Sequence, residues 1–326
     1  MRQFVIEKVD EGQTIIKYLQ RILPLAPTSF FYKMFRKKNI VLNDNKKLTG
    51  KEKVFENDIV RLYLSDDTID GFSKAVKVDT EEFTKAFIKY KSPEIVYEDE
   101  HLLFINKPSG ILSQKSTPSD LSANEWLIGY LLDKGEVNAS KLSKFKPSVC
   151  NRLDRNTAGI LIFAKSLFGA NIINPLIKDR SLHKYYLTVV EGHFNKEVHD
   201  ISYLKKDEKT NRVEISKTAK EGFSLIETYF YPVKYNKKLN VTLLSVLLVT
   251  GKSHQIRSCL YNLGFPIVGE AKYRDDESKV SKMFGLKSQV LFAYKLKFPK
   301  MENYDSLSEK ELTISMPSII DKLMEE

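Results

Sequence analysis

A carboxylate, Asp154, lies between Arg152 and Arg155 in the segment 151–159 (NRLDRNTAG). The apolar residues 160–164 that follow predict a buried strand, which would hold the carboxylate in a fixed place. Nearby cations favour the ionised form of an acid, and an ionised, fixed carboxylate suits a nucleophile better than a proton donor. The alternative is an Asp that caps a turn and pairs with surface arginines. The rest of the sequence decides between the two.

The elements that must hold this carboxylate belong to a strand-rich region that begins at about Ser92. Apolar residues at helical spacing predict two helices, at 122–133 and 254–263. This mixture predicts an α+β domain at residues 92–326, built on a largely antiparallel mixed β-sheet flanked by helices. The predicted strands are residues 95–97, 102–105, 160–164, 185–191, 224–233 and 241–249.

The first part of the chain predicts a separate, small α/β domain at residues 1–65. Apolar residues recur there at helical spacing, and short apolar runs flanked by turn residues follow. The mixed-charge residues 66–91 then predict a linker with a short helix near 81–89. The predicted helices of the small domain are residues 12–23 and 28–38, and its predicted strands are residues 40–42 and 59–64.

Positive charge is concentrated in this small domain. The whole chain has a net charge of +10, and residues 1–64 hold 13 Lys and Arg against 7 Asp and Glu. A locally basic domain indicates a polyanionic partner, and nucleic acid is the most common one. The second predicted helix would present Lys33, Arg36, Lys37 and Lys38 to a phosphate backbone, where each cation adds salt-sensitive affinity.

Composition excludes several classes of protein. No apolar run approaches the ~20 residues that cross a bilayer, and the N-terminus lacks a signal-peptide core, so we expect a cytoplasmic protein without membrane contact. Cys150 and Cys259 cannot form a disulfide framework or a multi-cysteine metal site. His183 and His254 lack a third ligand at metal-like spacing, so no metal is expected. The GKS tripeptide at 251–253 lacks the first glycine of a phosphate-binding loop, which excludes nucleotide hydrolysis.

Three further segments accompany the Asp154 segment along the chain. The four are 95–110 (IVYEDEHLLFINKPSG), 151–159, 184–192 (KYYLTVVEG), and 250–257 with 264–270 (TGKSHQIR and GFPIVGE). In this order they closely resemble the RluA-type family of RNA pseudouridine synthases, over about residues 92–300. The first 64 residues are similar to the alpha-L RNA-binding domain that often precedes this catalytic domain.

The resemblance implies that the protein isomerises uridine in RNA to pseudouridine without a cofactor. It implies that Asp154 is the catalytic residue and that Arg257 pairs with it. Tyr186 matches the tyrosine that stacks on the target base, and Arg152 matches the arginine that helps to flip the nucleotide. Extruding a base costs a few kcal/mol, and stacking on an aromatic ring offsets roughly 1 to 3 kcal/mol of this. The predicted RNA contacts are Arg152, Arg155, Lys33, Arg36, Lys37, Lys38, Lys107, Lys252, His254 and Gln255.

Three positions depart from the residues that are usual in the family. Asn151 replaces a common His, and it cannot titrate near neutral pH although its side chain still forms hydrogen bonds. Glu270 stands where Asp is usual, and Ala158 stands where Ser is usual. None of the three is the predicted catalytic residue, so the resemblance still implies activity.

We predict a two-domain, monomeric enzyme that acts on ribosomal RNA of the large subunit. The same chemistry on transfer RNA is one alternative, and a non-catalytic RNA-binding or ribosome-assembly factor is another. Such a factor would be free to lose Asp154, Tyr186 or Arg257, and all three are present. A hydrolase would need a second carboxylate paired with Asp154, and the sequence offers no obvious partner.

Overall fold

The structure is a computed structural model that describes residues 1–45, 47–73, 79–90, 92–207, 210, 212–274 and 278–325. Its strands are β1 (Arg2–Val5), β2 (Ile40–Leu42), β3 (Ile59–Leu62), β4 (Glu94–Glu98), β5 (Leu102–Lys107), β6 (Ser148–Val149), β7 (Ala158–Ala164), β8 (His183–Glu191), β9 (Val198–Lys206), β10 (Val213–Ser216), β11 (Ser224–Asn236), β12 (Val241–Leu248), β13 (Leu291–Lys297) and β14 (Glu311–Thr313). Its α-helices are α1 (Ile15–Ile22), α2 (Thr28–Arg36), α3 (Asp66–Ser73), α4 (Glu81–Lys89), α5 (Ala123–Asp133), α6 (Ala139–Lys144), α7 (Leu167–Lys178), α8 (Gln255–Asn262), α9 (Lys279–Met283) and α10 (Ser318–Met324). Across these described parts of the chain, no helix has both the length and the apolar composition needed to span a membrane.

The largest element of the fold is a sheet with the strand order β10-β9-β11-β12-β8-β13-β7-β5-β4, in which β6 pairs with β7 and β14 with β13. The pairings of β11 with β9 and β12, and of β8 with β12 and β13, are antiparallel. Strands β13 and β7 run parallel to each other. This sheet with its helices confirms the predicted α+β class and the largely antiparallel, mixed architecture.

The chain divides into two compact units. The N-terminal unit comprises Met1–Lys89, Glu125–Ser148 and Ala164–Ala170, and the sheet unit comprises Tyr90–Asn124, Val149–Phe163 and Asn171–Glu326. These limits differ from the predicted domains 1–65 and 92–326, because segments from the middle of the chain group with the first residues. The roles assigned to the two predicted domains stay predictions.

In the N-terminal unit, a three-stranded antiparallel sheet with the order β1-β3-β2 contributes to one apolar core with α1 and α2. Helix α1 buries Ile15 and Leu19, and α2 buries Phe31 and Phe35. A spacing of four residues returns a side chain to the same face of a helix, so each helix has one apolar side. Both helices and the strands β2 and β3 confirm the predictions, whereas β1 was not predicted.

The predicted linker, residues 66–91, contains two helices. Helix α4 is the short helix predicted there, whereas α3 was not predicted. Asp66 and Asp67 lie in the first turn of α3, where carboxylates interact favourably with the helix dipole. Residues 74–78 and 91 of the predicted linker lie outside the described residues.

The sheet unit contains all six strands predicted for the larger domain, as β4, β5, β7, β8, β11 and β12. The two predicted helices are also present in the chain: α8 lies in this unit, whereas α5, apart from its first two residues, lies in the N-terminal unit. Every residue of β7 is buried, which agrees with the continuous apolar run in its sequence. Strands β6, β9, β10, β13 and β14 and helices α6, α7, α9 and α10 were not predicted.

Candidate active site

Asp154 lies in the loop between β6 and β7, and its side chain is 25% exposed. The start of this loop is fastened to β7 by two hydrogen bonds at Ile162. The amide of Cys150 donates to the Ile162 carbonyl at 2.8 Å, and the Ile162 amide donates to Asn151 Oδ1 at 2.8 Å. The Asn151 side chain therefore binds backbone, which gives the residue a structural role that needs no titratable group.

The segment after β5 supports the same loop from another side. Ser113 Oγ accepts a hydrogen bond from the Leu153 amide and donates to the Leu153 carbonyl, both at 2.9 Å. Ser109 Oγ donates to the Asn156 carbonyl at 2.9 Å. Hydrogen bonds on both sides of Asp154 thus hold the backbone that carries it.

Lys107, at the end of β5, is the most deeply buried part of this support. Its ammonium donates to the carbonyls of Ile111 at 2.8 Å, Pro108 at 2.9 Å and Arg155 at 3.2 Å. Burial lowers the pKa of Lys107 to about 7, although the negative charge of Asp154 opposes the shift. The side chain is fully buried. The RNA contact of Lys107 stays a prediction, and its buried ammonium is bonded to the backbone of the loop that carries Asp154.

Gly159 sets the end of the loop at the start of β7. Its φ is +117°, and a Cβ built there would lie 2.2 Å from the carbonyl oxygen of Ala293 in β13. No side chain fits at that distance, and an L-residue is strained at that φ. The glycine therefore allows the close parallel approach of β7 and β13.

Arg257, on α8, contacts the carboxylate of Asp154 directly. Its Nη1 donates to Asp154 Oδ2 at 3.0 Å. Its Nε and Nη2 donate to the two carboxylate oxygens of Glu270, both at 2.7 Å. The Glu270 side chain has no exposed surface, and that of Arg257 is 8% exposed. This bidentate, buried pair fixes the guanidinium and points its remaining amino group at Asp154.

The backbone around Glu270 is also constrained. Gly269 has φ +83°, and a Cβ there would lie 2.1 Å from the carbonyl oxygen of Ser288. The Lys272 amide donates to Glu270 Oε1 at 2.8 Å. The fourth sequence motif thus ends on Glu270, which holds Arg257. In the sequence alone, Glu270 differs from the family only as a departure from the usual Asp.

The charges of the buried pair reinforce each other. Burial alone would raise the pKa of Glu270, but the hydrogen bonds and charge of Arg257 outweigh it and lower that pKa. Burial likewise disfavours the charged form of Arg257, yet Glu270 and Asp154 together raise its pKa. Both groups are therefore ionised at neutral pH.

His254 faces the same carboxylate from just before α8, in a left-handed conformation with φ 54°. Its Nδ1 lies 2.8 Å from the hydroxyl oxygen of Tyr273, and its Nε2 lies 3.9 Å from Asp154 Oδ2. Burial lowers the pKa of His254 to about 4, opposed in part by Asp154. The imidazole is therefore neutral at physiological pH. If the Tyr273 hydroxyl donates to Nδ1, the proton is on Nε2 and faces Asp154.

Tyr186, on β8, is 5% exposed and lines the same cavity as Asp154. Burial raises the pKa of its hydroxyl, and the negative charge of Asp154 raises it further. The side chain is therefore a neutral phenol at physiological pH. The structure brings together the three predicted catalytic side chains, although 103 residues separate Asp154 from Arg257.

These residues line a cavity of about 1050 Å³ in the sheet unit. Arg152, Arg155 and Lys252 are exposed residues in its lining, as an RNA contact requires. Gln255 also lines it but is 2% exposed. Its amide bonds to the Lys252 amide at 3.0 Å, the Glu227 carbonyl at 3.2 Å and Thr228 Oγ1 at 2.9 Å, among others. The RNA contact of Gln255 stays a prediction, and these bonds show that its amide holds the loop before α8.

The other predicted RNA contacts lie in the N-terminal unit. Lys33, Arg36, Lys37 and Lys38 are all exposed at the C-terminal half of α2 and just beyond it. Among the residues that the structure describes, no group of three or more His, Cys, Asp or Glu side chains is arranged to hold a metal ion.

The proteins that are similar to this chain belong to one family. Residues 101–262 match the family model for RNA pseudouridylate synthases. An RNA pseudouridine synthase of Mycoplasma capricolum is 28% identical over 99% of this chain and 100% of its own length. The ribosomal large subunit pseudouridine synthase C of Rickettsia felis is 31% identical over 80% of this chain and 81% of its own length. The structure of human RNA Pseudouridylate Synthase Domain Containing 4 shares the fold, with a TM-score of 0.55 and 20% identity over 74% of this chain and 94% of that chain.

Proposed function

Because the chain belongs to the RNA pseudouridylate synthase family, of the RluA type, we propose that it converts specific uridines of 23S ribosomal RNA to pseudouridine, with Asp154 as its catalytic residue. Isomerisation of uridine in RNA follows from the family. The choice of RNA is supported by relatives named ribosomal large subunit pseudouridine synthase. The choice of Asp154 rests above all on its contact with the fixed guanidinium of Arg257.

The net reaction needs neither an added atom nor an electron donor. The bond between uracil N1 and ribose C1′ breaks, and a bond between uracil C5 and C1′ forms. The proton lost from C5 is balanced by the proton gained at N1. The site must therefore free the base, hold it while it turns and move one proton, which polar side chains can do without a cofactor.

The two carboxylate oxygens of Asp154 have different contacts. Arg257 donates to Oδ2, and His254 Nε2 also faces Oδ2. Within the described part of the chain, Oδ1 makes no hydrogen bond to a side chain. An oxygen held by donors is a weaker nucleophile than one that is not, so Oδ1 is the oxygen that we expect to act on the substrate.

Tyr186 suits a base-stacking role. Its ring and Asp154 line one cavity, so a base lying on the ring would have its glycosidic bond near the carboxylate. The raised pKa keeps the hydroxyl protonated, which makes it a hydrogen-bond donor rather than a ready base. Arg152, exposed beside Asp154, would take the place of the extruded nucleotide in the RNA.

In this proposal the two predicted domains have different roles. Residues 92–326 carry the catalytic cavity, and residues 1–65 bind structured RNA through the exposed cations of α2. Residues 66–91 connect the two. We propose that the enzyme acts as a monomer in the cytoplasm.

Pseudouridine mapping of total RNA tests the proposal. Wild-type cells are compared with cells that carry Asp154→Ala in the chromosome, with protein levels checked in both. Loss of pseudouridine at specific positions of 23S ribosomal RNA is the expected result. Loss of pseudouridine at transfer RNA positions would mean that transfer RNA, not ribosomal RNA, is the substrate. An unchanged map with a folded mutant protein would favour a non-catalytic assembly factor.

A further inference from the structure

Lys184, on β8, is a buried lysine in the lining of the cavity. The residue is only 7% exposed. Within the described part of the chain, its side-chain nitrogen makes no hydrogen bond and no ion pair. Lys107, which is also buried, donates instead to three carbonyl oxygens. The two lysines therefore differ in whether the protein itself satisfies the buried amine.

The neighbours of Lys184 in the sheet are apolar. It pairs with Leu248 on β12 and with Leu296 on β13, and directly opposed residues share one face of a sheet. Both leucines are buried. Burial and, to a smaller degree, the positive charge of Arg180 lower the pKa of Lys184. A buried amine that the protein leaves unsatisfied destabilises the fold, so its place in a cavity lining indicates a ligand.

The side-chain nitrogen of Lys184 remains accessible to such a ligand. Among the described residues, the buried side-chain nitrogen and oxygen atoms that lack a partner are Arg21 Nε and Trp126 Nε1. Lys184 Nζ is not one of these atoms, so it keeps some exposed surface although most of the side chain is covered. Because the residue lines the cavity, an acceptor group held there can take a hydrogen bond from it.

Lys184 lies close to Tyr186 and farther from Asp154. The two β8 residues are two positions apart, so their side chains share one face and are about 6.8 Å apart along the strand. The charge of Asp154 raises the pKa of Tyr186, whereas the charge that acts on Lys184 is that of Arg180. The phenol is therefore nearer to the carboxylate than the amine is. A base on the Tyr186 ring, with its glycosidic bond at Asp154, would extend its opposite end toward Lys184.

The end of a uracil ring that lies opposite the glycosidic bond carries a carbonyl group in both substrate and product. In uridine, the ring atom opposite N1 is C4, which bears O4. In pseudouridine, the ring atom opposite C5 is C2, which bears O2. A donor fixed at this end of the base therefore meets an acceptor before and after the base turns. Cytosine has an amino group on C4, which is itself a donor and cannot accept from an amine.

We propose that Lys184 donates a hydrogen bond to O4 of the target uracil and, once the base has turned, to O2. The contact selects uracil over cytosine, and it holds the base while its attachment to the ribose changes from N1 to C5. This role rests on the proposed function, because it needs a uridine on the Tyr186 ring. A site built to bond a polar group strongly rejects an analogue that lacks the group, because the buried partner is then left unpaired.

Lys184→Met tests the role, because methionine has a similar apolar stem and no donor. Lys237→Met, at an exposed position outside the cavity lining, is the matched control. Single-turnover rates of pseudouridine formation are measured on a 23S ribosomal RNA fragment. Lys184→Met should lower the rate about ten- to hundredfold, as expected for losing a hydrogen bond from a charged group, and the control should not. A Lys184→Met rate equal to that of the control overturns the proposal.

Urea unfolding of the same variants separates this role from a structural one. Lys184→Met should be as stable as wild type or more stable, because the substitution removes a buried amine that binds no described group. A variant that loses both activity and stability would make the lysine a structural residue and would overturn the proposal.

A substrate with a weaker acceptor tests the contacted atom. The fragment is prepared with 4-thiouridine at the target position, where a sulfur replaces O4 and accepts hydrogen bonds only weakly. The factor by which Lys184→Met lowers the rate should then shrink to a few-fold or less, because the wild-type contact is already weakened. An equal factor on both substrates overturns the assignment to O4.

The outcomes distinguish this inference from the proposed function. Wild-type protein that forms no pseudouridine in any RNA would remove the proposed function, and the role of Lys184 with it. Wild-type activity together with an equally active Lys184→Met variant would keep the function and remove only the role of Lys184.

Discussion

Two groups of arginines surround Asp154, and they are built in opposite ways. Arg152 and Arg155 flank it in the sequence, and both are exposed. Arg257 comes from α8, 103 residues farther along the chain, and is 8% exposed. Glu270 holds Arg257 with two hydrogen bonds of 2.7 Å, and no comparable carboxylate fixes the flanking arginines among the described contacts.

The difference shows that distance in sequence does not decide which cation serves the carboxylate. A guanidinium held by a buried partner is already in position before the substrate arrives, so no ordering cost is added during the reaction. An exposed arginine keeps its rotamers and can follow a nucleic acid as it deforms. The fixed arginine therefore suits catalysis, and the exposed pair suits binding.

The largest effect is expected from replacing the carboxylate of Asp154, which lies next to both groups of arginines. Asp154→Asn should lower the rate of pseudouridine formation by about a thousandfold or more, with little change in the free energy of unfolding. The reason is that the amide is no nucleophile, although it has nearly the same shape. Single-turnover assays on 23S ribosomal RNA fragments measure the rate, and urea unfolding measures the stability. A rate within tenfold of wild type would remove Asp154 from the catalytic role.

The next largest effect is expected from removing the charge of Glu270, which holds the buried Arg257. Glu270→Gln should cost about 3 to 5 kcal/mol of stability and also lower the rate, because it leaves the charge of Arg257 buried with less compensation. Glu270→Asp, which keeps the charge, should recover most of the stability. Urea unfolding of the three proteins checks this order. A Gln variant as stable as wild type would mean that the pair does not fix the site.

A smaller effect concerns the neutral histidine on the same side. The pKa of His254 is about 4 in the folded protein against 6.5 in the unfolded chain. Between these values the unfolded chain binds more protons, so the stability contributed by His254 is complete above pH 6.5 and is lost as the pH falls through 4. His254→Gln should flatten this dependence, and His193→Gln, at an exposed position, should not. Unfolding at pH 4.5, 5.5 and 6.5 measures both slopes.

The smallest effect on stability belongs to the flanking arginines. Arg152→Ala and Arg155→Ala should each change the free energy of unfolding by less than about 0.5 kcal/mol, because both residues are exposed. RNA binding should weaken several-fold, and its dependence on salt should become shallower. Fluorescence anisotropy at three salt concentrations tests this. A stability loss as large as that of Glu270→Gln would erase the contrast between the two groups.

Much of the fold could be predicted from runs of apolar residues. The buried strand β7 is wholly apolar, so its sequence alone indicates it. Strand β9 (VHDISYLKK) was missed because the polar Asp200 and Ser202 occupy buried positions whereas Ile201 is exposed, and α3 was missed because an acidic stretch resembles a linker. Neither an apolar run nor a regular alternation of apolar and polar residues marks such a strand, so hydrophobic patterning does not reveal it.

The candidate site was predictable in part. The four motifs identified Asp154, Tyr186 and Arg257, which line one cavity in the structure. They did not indicate that Lys107 and Gln255 turn inward, because both residue types are usually exposed and only the surrounding carbonyls and hydroxyls make burial tolerable. The bidentate contact of Glu270 also needed coordinates, because a sequence does not show where two distant side chains meet.

The close approach of the two strands at Gly159 forms late during synthesis of the chain. Strand β7 pairs with Ala293 on β13, well over a hundred residues later in the chain. At about 5 to 20 residues per second, a ribosome needs roughly 7 to 27 s to make the intervening residues. Until β13 emerges, the loop that carries Asp154 lacks its neighbouring strand. The surroundings of the loop that carries Asp154 are therefore complete only when nearly all of the sheet has been translated.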